Sequence, residues 1–202
     1  MNTKEIIIYG VGGMGALLWV LPMFDISFFP FQSWVGFILL SIFFYMAKNI
    51  VTKEKVAELN KQSENLSDGE KEEAKKLRNF LYVAYADGKV EKEEVLLLAS
   101  LMNGKLDVDY IAKEGELFPS LKYSIYVPQS VEERNEHLSQ LVAMMIIDDK
   151  QSKSEKNRIK EIFRAFGVEE SKIDSSINLI VATLENSDEF IKTRETFKSF
   201  KG

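Results

Sequence analysis

Asp87, Glu91 and Glu94 fall in one short stretch, AYADGKVEKEE (84–94), and Asp148, Asp149 and Glu155 fall in a second, MMIIDDKQSKSE (144–155). Carboxylates grouped in this way offer hard oxygen ligands, the chemistry that calcium and magnesium require. Asp87, Glu91 and Asp148 are the candidates for such a cation. The same residue types also serve at helix ends, where acidic side chains accept from exposed backbone N–H groups and complement the helix dipole. Two features favour capping over metal. The run DGKVEKEE lacks the alternating ligands of an EF-hand loop, and lysines are interleaved through both stretches. The expected cofactor is none, with a divalent cation as the alternative.

Other chemistries find little material. The chain has 202 residues, no cysteine and one histidine, His137. Thiolate metal sites, disulfides and a cysteine nucleophile are excluded, and a multi-histidine metal site or a Ser-His-Asp triad would rest on that one residue. His137 lies one helical turn after Glu133 and is expected to be an exposed or half-buried polar residue without a catalytic role. No pair of carboxylates is placed across a recognisable substrate cleft, so glycosidase chemistry has no basis. The net charge is −5 with no long basic block, and nucleic acid is not an expected partner.

The stretch Gly10-Val-Gly12-Gly13-Met-Gly15 fits the dinucleotide-binding pattern G-x-G-x-x-G. Its context contradicts that chemistry. The glycines run into ALLWVLPMF, which is apolar on all sides and meets Pro22, Asp25 comes too early to hold a ribose, and no strand–helix alternation follows. Between Glu5 and Lys48 the only charged residue is Asp25. Residues 6–24 and 31–47 each suit a membrane span, which takes about twenty apolar residues. DISFFPFQ between them reads as a tight interfacial turn, and Trp19, Trp34 and Tyr45 fit near-interface positions. A cleaved signal peptide would need a longer charged leader and an A-x-A site, and neither is present. The expectation is a retained two-helix transmembrane hairpin over 1–47. Gly12, Gly15 and Ala16 would let helix backbones approach closely, either within the hairpin or between protomers of a homo-oligomer. Lys4 precedes the first span, Lys48, Lys53 and Lys55 follow the second, and the 25–33 loop carries no Lys or Arg. The positive-inside rule therefore places both termini and the soluble part in the cytoplasm.

From Lys48 the chain turns polar. Residues 48–66 read as a helical stalk that loosens around Gln62–Asn65, and Ser67-Asp-Gly-Glu70 is a capping box that opens a domain over 67–202. Apolar positions then recur at three- and four-residue spacing: Leu77, Phe80, Leu81 and Ala84; Leu138, Leu141, Val142 and Met145; Ile159, Ile162, Phe163 and Phe166. Helix starts are expected at Ser130, Ser152 and Ser171, and stops at Gly104 and Gly167. The irregular patch is FPSLKYSIYVPQS, 118–130. No run alternates with period two, so the fold class is all-α. Tyr82, Tyr85, Tyr110, Tyr123, Tyr126 and Phe118 are expected to pack in the core rather than form a partner surface.

The two acidic stretches also align as an internal pseudo-repeat. Asp87 pairs with Asp148, Gly88 with Asp149, Lys89 with Lys150 and Glu94 with Glu155, each between apolar helices. Gly88 suits a positive φ, and Ser152 with Glu155 forms a second capping box. The stretch AYADGKVEKEEVLLLASLM, with its weaker copy MMIIDDKQSKSEKNRIKEIF, resembles the TerB-like domain, named for tellurite resistance. The resemblance covers about 69–186. It rests on Asp87, Gly88, Val90 and Glu94 in the first copy and on Asp148 and Glu155 in the second, which departs at Asp149 and Gln151. It implies an all-helical bundle associated with stress responses and membrane-linked assemblies, among them membrane-anchored J-domain co-chaperones, and it implies no shared catalytic chemistry. The J-domain signature His-Pro-Asp is absent, since Leu138 follows His137.

The sequence thus leads to a membrane-anchored, non-enzymatic TerB-like adaptor or scaffold at the bacterial inner membrane. Its partners would be the lipid bilayer and an unidentified protein. The alternative is a sensor whose acidic turns respond to a divalent metal.

Overall fold

The computed structural model describes residues 14, 16, 17, 32–90, 92–147 and 152–201. Every regular element among them is helical. Two compact units are present, Met1–Glu58 and Leu59–Gly202.

In the first unit the dominant element is the N-terminal part of α1, Gln32–Glu64. This helix is long and apolar enough to cross a membrane. Its apolar side chains Trp34, Phe37, Ile38, Phe44 and Tyr45 are exposed. A helix that is apolar around its whole circumference and buries little of that surface has the composition of a membrane span. Met14, Ala16 and Leu17 are helical, whereas Gly12, Gly15 and the proposed interfacial loop lie outside the described residues. The polar stalk is the continuation of α1, which ends at Glu64.

The second unit is built around α2, Asp68–Ala84, which packs against α3 (Lys92–Leu101), α4 (Val108–Leu117), α5 (Val131–Ile146) and α6 (Lys153–Ala165). Helix α7 (Glu170–Glu185) lies on α5 and α6, and α8 (Asp188–Lys201) on α3 and α7. The amphipathic periodicity of α2 explains its central place. Leu77, Phe80, Leu81, Val83 and Ala84 are all buried, so α2 offers apolar surface to several neighbours at once. Leu141, Val142, Ile159, Ile162, Phe163, Ile173 and Ile177 complete the core.

Helix starts follow local chemistry. Ser67 and Glu70 close a full capping box at α2, and Ser152 and Glu155 close another at α6. Ser130 accepts from Glu133 N at 3.0 Å at the start of α5. One expected start is displaced. Helix α7 begins at Glu170 with Glu169 at its N-cap, and Ser171 stands inside the first turn, its hydroxyl donating to Glu169. Gly167, at φ +85°, ends the preceding helix so close by that the chain re-enters a helix before Ser171. The patch after α4 is a 3-10 turn, Phe118–Ser120, followed by a segment without regular structure to Ser130.

Gly115 lies buried inside α4, facing Leu81 and Val90. A Cβ there would stand 3.5 Å from Leu81 Cδ2 and 3.6 Å from Val90 Cγ1, ordinary contact distances. Gly115→Ala is therefore expected to stabilise the chain by about 0.5–1 kcal/mol, through lower backbone entropy in the unfolded state. A urea midpoint measured on the full chain in mild detergent checks the sign. A loss of stability would mean that α4 packs more closely than these distances.

Candidate functional site

The first acidic turn is built from the end of α2. Its last residues tighten into a 3-10 turn, Tyr85–Asp87, and Gly88 then takes φ +96°, a conformation open to glycine at little cost. Asp87 accepts from Lys89 N at 3.3 Å, and its side chain is exposed. Val90, half-buried, rests on Gly115 of α4. The stretch that carries the family resemblance thus has three local jobs: Asp87 ties the turn, Gly88 reverses the chain, and Val90 docks the next segment onto α4. Glu94 is half-buried on α3. Glu91, Asp148 and Asp149 lie outside the described residues, so the pairing of the two turns is described only through Glu155, which caps α6. Among the described residues, no group of three or more Asp, Glu and His side chains is placed to hold a metal ion.

The residues that do converge are others. A cleft of about 360 Å³ opens between α2, the C-terminal end of α3 and the first half of α5. One wall is an ion-paired set: Glu73 binds Lys105 Nζ at 3.0 Å and Lys76 Nζ at 3.3 Å, and Lys76 lies 3.9 Å from Glu72. Glu72 also accepts from the Tyr126 hydroxyl at 2.7 Å. The facing wall comes from α5, where Glu133, Glu136, His137 and Gln140 follow one another at helical spacing. Gln140 donates to Glu136 at 3.2 Å.

His137 departs from its expected exposure. It is only 2% exposed, with its ring edge-on to Phe80 at 4.7 Å and stacked near Phe166. What permits its burial is Asn79, which is fully buried on α2. The Asn79 amide meets four partners. Its Oδ1 accepts from Tyr126 N at 3.0 Å and from the Tyr123 hydroxyl at 3.1 Å. Its Nδ2 donates to Tyr126 O at 2.8 Å and stands 3.0 Å from His137 Nε2. A backbone N–H can only donate and a carbonyl can only accept, so the two Tyr126 contacts fix the orientation of the amide. His137 Nε2 is consequently the acceptor, and the neutral ring carries its proton on Nδ1. Burial, aided by the positive charge of Lys76, pushes the imidazole down from 6.5 to about 4, while the contact of the Gln140 side chain with the ring opposes the shift. Nδ1 is buried and has no hydrogen-bond partner among the described residues.

A second buried polar set ties the end of α1 to the same unit. Glu114, fully buried on α4, receives Arg78 Nε at 3.2 and 3.1 Å on its two oxygens and Arg78 Nη2 at 2.8 Å. Tyr110 donates to the same carboxylate at 3.0 Å, and its hydroxyl lies 2.8 Å from Ser63 Oγ on α1. Burial and the Glu114 charge push Tyr110 up to about 12, so it remains a neutral donor. The pairing also raises the Arg78 guanidinium above its ordinary range.

The sequence reading missed Asn79, Arg78 and Glu114. Asn79 did leave a signal, since it interrupts the apolar run of α2 on the face that must be buried. A polar residue at such a position has to meet partners. Of the expected aromatic core, Tyr110 and Phe118 are buried, whereas Tyr82, Tyr85, Tyr123 and Tyr126 are half-buried. Tyr82 stacks on Tyr123 with ring centroids 4.7 Å apart. Comparison of the chain with protein-family models, curated proteins and solved structures returns no match.

Proposed function

We propose that this chain is a membrane-tethered, non-enzymatic adaptor of TerB-like type, held by a two-helix hairpin over 1–47 with both termini and the helical domain on the cytoplasmic side of a bacterial inner membrane. The observation that carries this reading is α1. Its first half displays apolar side chains on all sides, and its last turns join a folded helical unit in which Leu59 is buried. Such an element suits a tether better than a soluble core. Tethering raises the effective concentration of the domain for a partner at the same membrane. The acidic turn at Asp87 and Gly88, followed by Glu94, is the docking surface in this reading, and Asp148 and Asp149 are its counterparts in the sequence of the second copy. A mechanism by docking, without bond chemistry, also agrees with a composition that lacks cysteine and holds a single histidine whose ring is committed to Asn79.

Alkaline carbonate washing of membranes from cells expressing the full chain is expected to leave it in the pellet. Phe37→Arg combined with Ile42→Arg is expected to release most of it, because each charge at mid-span costs about 2.5–3.5 kcal/mol of insertion. Chemical cross-linking in intact membranes should then trap a stoichiometric protein partner, lost on Asp87→Asn with Glu94→Gln. A wild-type chain found in the soluble fraction would sink the tether. A retained chain cross-linked only to itself would sink the adaptor reading.

A further inference from the structure

The cleft between α2, the end of α3 and α5 carries two unmet demands. The first is charge. Four carboxylates line it against two lysines, and both lysines are committed to Glu73. Neither Glu133 nor Glu136 has an ion-pair partner among the described residues, so the α5 wall presents uncompensated negative charge. The second demand is a hydrogen bond. His137, 2% exposed, forms part of the cleft lining, and its Nδ1–H, although the Gln140 side chain stands against the ring, meets no acceptor at hydrogen-bond geometry among the described residues. A buried donor left without a partner is costly.

Together these demands select a ligand class. An anion would be repelled by Glu133 and Glu136. A metal cation is disfavoured at the floor, because a nitrogen that carries its proton has no lone pair to give. We propose that the cleft binds an organic cation with a hydrogen-bond acceptor beside its charge, the chemistry shared by a basic amino acid and by an arginine or lysine residue with its own backbone carbonyl. The ammonium or guanidinium sits between Glu133 and Glu136 through charge-assisted hydrogen bonds. The acceptor takes the His137 Nδ1 proton. Gln140 links the two events. It stands against the imidazole and is held to Glu136 at 3.2 Å. A cation on Glu136 competes with the Gln140 amide, which frees that side chain to move away from Nδ1. The cleft volume of about 360 Å³ lies at the lower end of ligand sites and suits an amino-acid-sized group. This inference does not depend on the membrane tether.

The single histidine makes the test direct, because 15N-histidine labelling of the full chain in mild detergent gives one imidazole. L-arginine, L-lysine and the peptide Ala-Arg-Ala-amide are titrated, with L-citrulline as the neutral isostere, guanidinium chloride as a cation without an acceptor, and magnesium chloride as a metal. Saturable movement of the Nδ1 resonance is expected with at least one of the first three. Glu133→Gln with Glu136→Gln should weaken that binding at least about tenfold, since both charge-assisted contacts are lost. Both side chains sit at the cleft rim rather than in the core, so the variant keeps its fold, and an unchanged His137 signal in the free state checks this. Tighter binding of the peptide would assign the ligand to a protein partner, and tighter binding of the free amino acid to a metabolite; either supports the site. The proposal is overturned if no compound moves Nδ1 saturably, if citrulline or magnesium does so equally, or if the double substitution leaves the affinity unchanged.

Discussion

Arg78→Met is expected to destabilise the full chain by about 3–5 kcal/mol, because it strands the Glu114 carboxylate in the core without its cation. Glu114 is fully buried, and Arg78 supplies both a charge and a two-pronged set of contacts at 2.8–3.2 Å. The Tyr110 hydroxyl cannot replace a charge. The companion variant, Arg78→Met with Glu114→Met, removes both partners and should recover most of the loss, since two apolar side chains of similar length leave no group unsatisfied. Urea unfolding in mild detergent, followed by circular dichroism, measures all of these. A single variant that costs less than about 1 kcal/mol would mean that water reaches Glu114 and that the pair behaves as a surface ion pair. The effect should also reach the end of α1. Tyr110 holds Ser63 as well as Glu114, so loss of the set should speed proteolysis near residues 60–66.

The second large effect is the pH dependence that His137 imposes. His137 is neutral in the folded chain and titrates near pH 4, whereas in the unfolded chain it titrates near 6.5. Its folded value is depressed, so its contribution to stability is fully present above pH 6.5. That contribution is lost as the pH falls toward 4, because over this range only the unfolded state takes up the proton. The slope approaches about 1.4 kcal/mol per pH unit, and the total loss is on the order of 3 kcal/mol. Protonation would place an N–H at Nε2 against the Asn79 Nδ2 amide, two donors face to face 3.0 Å apart. His137→Gln keeps an acceptor for Asn79 and has no proton to gain, so the His137 part of the slope should vanish between pH 6.5 and 5, leaving only the loss from carboxylates such as Glu70 and Glu170, whose folded values are lowered, as the pH nears their ordinary range. A wild-type chain with the same slope over that window would show that Asn79 does not hold the ring in its neutral form.

Much of this architecture was legible in the sequence. Apolar residues three and four apart in 77–84, 138–145 and 159–166 are periodicities of one helix, and they depend on no distant partner. The caps at Ser67, Ser130 and Ser152 are local as well, since each hydrogen bond spans three residues. The uncharged stretch before Lys48 likewise produces an apolar helix whatever the rest of the chain does. Even the turn at Gly88 follows from one glycine beside one aspartate. The misplaced start at Ser171 is the local exception. Two competing signals lie within a few residues there, and the tight exit at Gly167 set the boundary.

The polar interior was not legible in this way. Arg78 meets Glu114 across 36 positions, Asn79 meets Tyr126 across 47 and His137 across 58. No spacing rule links such residues, because their proximity depends on how α2, α4, α5 and the irregular 121–130 segment pack. The same holds for the cleft. Glu133 and Glu136 read alone as a solvated helix face, and only the approach of α2 and the end of α3 makes them one wall of a site. The sequence by itself determined a helical chain with an apolar N-terminal helix, because periodicity and hydropathy are properties of single elements. Only the tertiary structure decided which polar groups are buried together, such as Asn79 with His137 and Arg78 with Glu114, because removal from water is decided between elements rather than along them.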